Sequence, residues 1–271
     1  MSEVLNRNQQ LSPRAGARAL AARGLIAVWQ ADYKGAIPDL SAALERFERL
    51  EDQQGSGYVL TALALIELMS TGAPSAEKRM RAAHQSLLGS GDRWAAVLAM
   101  NGLLWGLQVT GQLADSPAEY RAALAEAESV GSPHEIGMAH ANLGRYYLYR
   151  GSPEEALPHL EEWLDRIASL HHKGTLASAL EAVGEAAMLL GNPIGAAQLH
   201  GAASALRESI GAAPRETVRE RIGRNLARLR TELGEEEFRR ACAEGEGLGF
   251  DEAVEAARIA AQPARAGVNA A

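Results

Sequence analysis

The side chains able to do chemistry are few and scattered. His134, His140, His171, His172 and His200 could ligate a metal or shuttle protons, yet they include no pair four residues apart and no H-E-x-x-H run. Two imidazoles on one helix face are therefore not offered to a single ion, and no metal is expected. His140 falls at a packing position whose counterparts are leucines, which suits an interior histidine with a satisfied ring better than a pH or ligand sensor. Cys242 is the only cysteine, which excludes an internal disulfide and any multi-thiolate site. Near the end of a closing helix it reads as a buried, inert thiol. Gly245-x-Gly247-x-Gly249 lacks the third glycine of a dinucleotide fingerprint and follows no strand, so it reads as an inter-helix loop. No nucleophile–base pairing is legible from spacing. The expectation is a protein without catalytic residues, metal or cofactor.

One cluster is conspicuously basic: Arg215, Arg219, Arg221, Arg224, Arg228 and Arg230. Arg221, Arg224 and Arg228 share a helical face opposite an apolar stripe, and Glu216 and Glu220 interleave with the cluster. That face is expected to be solvated, with an electrostatic docking surface for a partner or nucleic acid as the alternative. Lys+Arg total 27 against Asp+Glu 34, a net charge of -7, which argues against a chain built to coat nucleic acid.

The elements that must carry these residues are helical. In 271 residues, hydrophobic types make up 47% but aromatics only 5%, and an Ala- and Leu-rich, aromatic-poor chain favours helix over sheet. The apolar run from Val59 to Met69 is interrupted by Thr61 and Glu67 and is too short to span a bilayer. The opening MSEVLNRNQQ has no apolar stretch resembling a signal peptide, so a cytoplasmic location is expected.

Small residues recur inside the helical patterns at Gly24, Ala64, Gly102, Gly144 and Gly184, at spacings of 40, 38, 42 and 40 residues. A glycine in mid-helix costs about 1 kcal/mol relative to alanine, so its recurrence wants a reason. Close approach of a second helix supplies one, with Ala36, Ala76, Ala114, Ala156 and Ala196 marking the facing positions twelve residues on. Each unit then reads as two antiparallel helices. Ser116-Pro117, Ser132-Pro133 and Ser152-Pro153, each followed by Glu119, Glu135 or Glu155, are read as capping boxes that start helices. The third unit is irregular: Gly111 to Asp115 form a longer loop, the Ala114 match is accidental, and Tyr120 takes the facing position. Pro214 to Leu233 is an amphipathic helix, followed by helices near 235–244 and 251–261.

Residues offset by 3, 7, 10 and 11 from the first share one side of a helix, which defines an inner face for the first helix of each unit. That face is apolar in units one to three and polar in units four and five. As a mixed pocket, Trp29, Tyr58, Leu65, Met69 and Leu103 would grip apolar surface, while Arg145, Tyr149, Glu181 and Glu185 would orient a polar group. The competing reading is that the closing helices fold back and fill this groove.

The units resemble the tetratricopeptide repeat, most closely through Asn142-Leu143-Gly144-Arg145-Tyr146-Tyr147 followed by Gly151-Ser152-Pro153-Glu154-Glu155-Ala156. The period near 40, together with Gly195-Ala196-Ala197-Gln198-Leu199-His200-Gly201 and Leu233-Gly234-Glu235-Glu236-Glu237-Phe238, is similar to the arm of large bacterial ATP-binding transcription regulators of the LuxR and AfsR kind. The resemblance implies an all-α, right-handed superhelical solenoid of about five helical hairpins over 12–211, closed by capping helices over 212–261. Segments 1–11 and 262–271 would be a linker and a disordered tail. It further implies a sensor arm that binds a small-molecule effector or a partner protein in a concave groove, the alternative being a free-standing scaffold for a peptide or helix. The family's nucleotide-binding and DNA-binding parts do not carry over. There is no G-x-x-x-x-G-K-[ST] run, Lys34, Lys78 and Lys173 follow no glycine run, and no room for a helix-turn-helix follows Ala261. Direct nucleic-acid or membrane binding is not expected.

Overall fold

A computed structural model of the chain describes residues 12–262 except Ala31, Gly72, Ala73, Ala114, Asp115, Ala212 and Arg215; the side chains of Trp29, Met69, Ser70, Thr71, Pro74, Glu216 and Thr217 are also outside its description. The tails expected at 1–11 and 262–271 therefore fall outside it, apart from Gln262. Thirteen α-helices and no strand occupy the described residues. They are α1 Pro13–Trp29, α2 Tyr33–Arg49, α3 Gln53–Thr71, α4 Pro74–Gly89, α5 Arg93–Val109, α6 Ala118–Val130, α7 Pro133–Tyr149, α8 Pro153–Ala168, α9 Lys173–Leu189, α10 Pro193–Ser209, α11 Glu216–Leu233, α12 Glu235–Glu246 and α13 Phe250–Ala261.

Their length is set by where the chain turns. Gly91, Gly111, Gly131, Gly151, Gly191 and Gly211 all have φ between 63° and 83°, and Glu51 and His171 take the same left-handed conformation at 52° and 49°. Each lies 20 or 40 residues from the next. A left-handed residue satisfies the last carbonyls of a helix and reverses the chain, and glycine does this without a Cβ penalty. Most helices between these turns have 16 to 19 residues and are about 25 Å long. Starts are marked by Ser12, Asp32, Asp92 and Asn192, whose side chains accept an N–H from the first turn. Ser132 and Ser152, expected to do the same, accept no such bond. There the fixed φ of Pro133 and Pro153 starts the helix, and Glu135, Glu154 and Glu155 face its positive end.

Contacts divide the chain after Gln112 into two compact units. In the first, α1 pairs with α2 and α3 with α4, α5 packs on α4, and α1, α3 and α5 touch in succession. The pairing works as the small residues require: a Cβ on Gly24 would lie 2.6 Å from Leu40 Cγ and 3.3 Å from the Ala36 carbonyl. Ala64 and Ala76 are buried. Gly102 differs. Its nearest neighbours would be Leu65 and Met80 at 3.7 and 3.8 Å, and Leu98, one turn earlier, is exposed. Ala114, the facing residue matched to it, is outside the described residues.

In the second unit α6 begins five residues behind the twenty-residue register, at Ala118, and Tyr120 is buried against Tyr146 with ring centroids 4.8 Å apart. Pairs α7–α8 and α9–α10 again close through glycine: Gly144 against Leu160 and the Ala156 carbonyl, Gly184 against the Ala196 carbonyl at 3.3 Å. The last helices, read as capping helices over 212–261, share the core of the helices before them. Leu229, Phe238 and Val254 share one core with Leu160, Trp163, Leu180 and Leu199. Helix α12 crosses α10 backbone to backbone, where a Cβ on Gly201 would sit 2.1 Å from the Cys242 carbonyl and one on Gly245 1.9 Å from that of Gln198. Gly245 is thus inside α12 and not in a loop, while Gly247 and Gly249 cap α12 and α13. Helix α13 returns over α8, α9 and α10, held by Arg258 to Asp165 at 2.7 Å and by Asn192 Nδ2 donating to the Ala260 carbonyl.

Two glycine substitutions should move stability in opposite directions. Gly102→Ala, whose methyl would make only ordinary contacts, should gain up to about 1 kcal/mol from helix propensity. Gly201→Ala, which would force two backbones apart, should lose about 3 kcal/mol or more. Chemical denaturation of the two variants measures both signs.

Candidate functional site

Four expected inner-face residues of the second unit come together in space. Helix α7 supplies Arg145 and Tyr149 one turn apart, and α9 supplies Glu181 and Glu185 one turn apart. Two arginines not grouped with them on sequence complete the set. Arg207 of α10 donates to both oxygens of Glu181 at 2.7 and 2.9 Å and to Ser178 Oγ at 3.0 Å. Arg221 of α11 donates from Nε to Glu185 Oε2 at 2.7 Å and from Nη2 to its other oxygen. Its guanidinium also lies 3.8 Å from the Tyr149 ring centroid, a cation–π geometry.

Arg221 is therefore not part of a solvated docking face with Arg224 and Arg228. Those two are exposed, while Arg221 flanks the apolar stripe of α11, three residues after Val218, and is close enough to reach α9. Helix α11 packs on α9 and α10.

Three guanidiniums meet two carboxylates, and Arg145 is the one left over. It stacks 4.4 Å from the Trp163 ring centroid, and its Nη1 is sealed from solvent with no hydrogen-bond partner among the described residues. Burial pushes this guanidinium below its ordinary value; Tyr149 and Glu181 oppose that, and Arg207 and Arg221 add to it. A guanidinium nitrogen sealed without a partner carries an uncompensated desolvation cost. An anionic group placed beside it would offset that cost. A cavity of about 430 Å³ beside the Glu181–Arg207 pair is lined by His200, Glu208, Pro214, Ile222 and Leu226, and Arg145 is not in its lining.

The first unit does not gather its expected residues. Tyr58 donates to Asp92 at 3.1 Å, and burial, followed by that hydrogen bond, pushes its hydroxyl up to about 12. Burial alone would raise the Asp92 carboxyl, but hydrogen bonds from Gln54, the Ala95 N–H and Tyr58 outweigh it and leave it lowered. Tyr58 joins Arg18, Ala21 and Leu25 around a shallow hollow of about 290 Å³. Leu65 packs instead toward Gly102. Leu103 is 1% exposed in the core formed by α3, α4 and α5, and no ligand can touch it. An offset rule that assumes one buried stripe fails on a helix wedged between two neighbours. The side chains of Trp29 and Met69 are outside the described residues.

Sequence reasoning missed Arg207, Trp163 and the inward role of Arg221. Trp163 had a signal, since it lies seven residues after Ala156 on the face that meets α7. Arg207 had none, because its partner Glu181 is 26 residues away. His140 behaves as an interior histidine, its Nδ1 3.0 Å from that of His159. The Cys242 thiol is half-buried and pushed up by burial and by Glu246, against Arg230. Among the described residues no group of three or more His, Cys, Asp or Glu could hold a metal ion, and no helix is long and apolar enough to cross a membrane.

His200 gives this unit a pH dependence. It is 5% exposed, and burial pushes its imidazole down to about 4. From the unfolded value near 6.5 down to about 4, the unfolded chain binds a proton that the folded chain refuses. Stability is therefore lost as pH falls through that window, by about 3 kcal/mol for a shift of this size. Urea unfolding at pH 7 and pH 4.5, which spans most of that window, should show the wild type losing more than His200→Gln by about 2 kcal/mol.

No protein-family model and no curated protein matches this chain, so its function is argued from the geometry of the site.

Proposed function

We propose that the chain is a non-enzymatic, tetratricopeptide-like regulatory arm of a bacterial transcription regulator, taking an anionic effector or partner group on the inner face of α7 and α9. Right-handed superhelical stacking of the helical pairs belongs to the same proposal. The observation that carries it is Arg145: a desolvated guanidinium with a sealed, unpartnered Nη1, framed by Glu181–Arg207 and Glu185–Arg221. The two clamped pairs fix the arginines' positions and leave Arg145 as the unpaired positive charge, a charge-assisted donor for a carboxylate or phosphate. Binding would act by favouring one arrangement of α11 over another, since Arg221 is held by the same face.

A second reading, a scaffold for a partner's helix, is favoured by α11 itself. It is a basic amphipathic helix lying on that face through Arg221, Ile222 and Leu226, so the face accepts a helix.

Thermal-shift titration with a panel of carboxylates, sugar phosphates and nucleotides tests the first reading. At least one anion should raise the melting temperature of the wild type and fail to raise that of Arg145→Met, while size-matched cations do nothing. If no anion acts on the wild type, or if the shift survives Arg145→Met, the effector reading is wrong. If the wild type is instead stabilised by a free peptide of the α11 sequence once residues 216–233 are replaced by a Gly/Ser linker, the scaffold reading replaces it.

A further inference from the structure

A second cavity, of about 240 Å³, lies among the N-terminal turns of α7 and α9 and the last turns of α8. It is not part of the inner face. Arg145 stacks on the face of the Trp163 indole, whereas this cavity is lined by that side chain together with Gly137, Met138, Arg166, Ile167 and Leu170.

Two polar atoms in its wall are unpaid for. Trp163 is 1% exposed, and its Nε1–H has no hydrogen-bond partner among the described residues. The Nε–H of Arg166 is likewise sealed and without a partner, although its Nη2 donates to Glu162 at 3.2 Å. Native interiors rarely leave such donors unmade, and each one costs the full desolvation of the group. Both sit over the same spot. A Cβ on Gly137 would lie 3.7 Å from Trp163 Cδ1, the atom bonded to Nε1, and 3.5 Å from Arg166 Cδ, the atom bonded to Nε. A Cβ there would also meet Arg166 Cβ at 3.4 Å, so both side chains pack against α7 at Gly137, which lines the cavity with them.

The rest of the lining chooses among occupants. No acidic side chain lines the cavity. His172 accepts at Nδ1 from the Thr175 N–H at 3.1 Å, so its ring proton is on Nε2, which adds a further donor at the rim. Met138, Ile167 and Leu170 supply apolar wall, and Leu170 stands 50% exposed. Two buried unpartnered donors, one of them cationic, with no carboxylate in the lining favour an anion, and the apolar wall favours a body that carries it.

We propose that this cavity binds a small monocarboxylate with an apolar body, its carboxylate seated over Gly137 against Trp163 Nε1–H and Arg166 Nε–H. This does not rest on the inner-face reading, and either can fail without the other.

The test uses the full chain labelled with nitrogen-15 at tryptophan, Trp163→Phe assigning the indole signal. Benzoate and hexanoate should move the Trp163 Nε1–H signal saturably, with Kd on the order of 1 mM for ligands of this size. Benzamide and benzylamine should bind about 10-fold more weakly or not at all, since neither offers two charge-assisted acceptors. Gly137→Ala places a methyl at ordinary contact distance, so it should leave the melting temperature equal or higher while weakening benzoate at least about 10-fold. Arg166→Met should weaken it similarly. A flat titration with both carboxylates, an equal response to benzamide, or benzoate binding unchanged in Gly137→Ala would each overturn the assignment, leaving the orphan donors to an ordered water only.

Discussion

What the second unit's geometry depends on is the closeness of its helix axes where glycine or alanine stands. Gly144, Gly184, Gly201 and Gly245 each remove a Cβ at a crossing, and the facing atoms are backbone carbonyls or the base of a leucine. A helix that approaches its neighbour's backbone surrenders side-chain volume for contact over its whole length, and dispersion across that contact is collectively large. Because the spacing is tight, the register is narrow. The left-handed turns at 131, 151, 171, 191 and 211 recur every twenty residues and reverse the chain between helices. One of those turn positions, His171, and the corresponding Glu51 of the first unit are not glycine. Glu51 and His171 hold the conformation at a backbone cost of roughly 1 kcal/mol, and His171 recovers part of it by stacking on Phe250 of α13, with ring centroids 5.1 Å apart.

The polar site is a consequence of that register. Residues one turn apart on α7 and one turn apart on α9 are held opposite each other, so Arg145, Tyr149, Glu181 and Glu185 face a common space without any loop to position them. Sites built on helices inherit the rigidity of the helices. Arg207 and Arg221 then neutralise both carboxylates, and the unspent charge falls on Arg145. A structural role alone explains the two clamped pairs, since each ties neighbouring helices together. It does not explain a third guanidinium with a sealed, unmatched nitrogen above an indole.

The closing helices change what the inner face can do. Helix α11 is mostly exposed, anchored by Leu229 in the core and by Arg221 on Tyr149 and Glu185. Helices α12 and α13 are knitted into the core of α8, α9 and α10. The segment that covers the site is thus the least buried of the three, and local opening draws on such segments.

Helix type, the forty-residue pairing of Gly24 with Ala36, Gly144 with Ala156 and Gly184 with Ala196, and the late start of α6 were all legible in the chain. Each follows from local rules: propensity, the 3.6-residue period, proline's fixed φ and the cost of glycine in mid-helix. So was the shared face of Arg145 and Tyr149 and that of Glu181 and Glu185, because residues one turn apart on a helix must be neighbours. Which of these faces meets solvent, which meets another helix and which partner each charge takes were decided only by tertiary packing. Leu103 was lost to the core because α5 has two neighbours, Arg221 turned inward because α11 lies across α9, and Gly245 became a crossing point because α12 packs on α10. Those are contacts between segments tens of residues apart, and no local period encodes them.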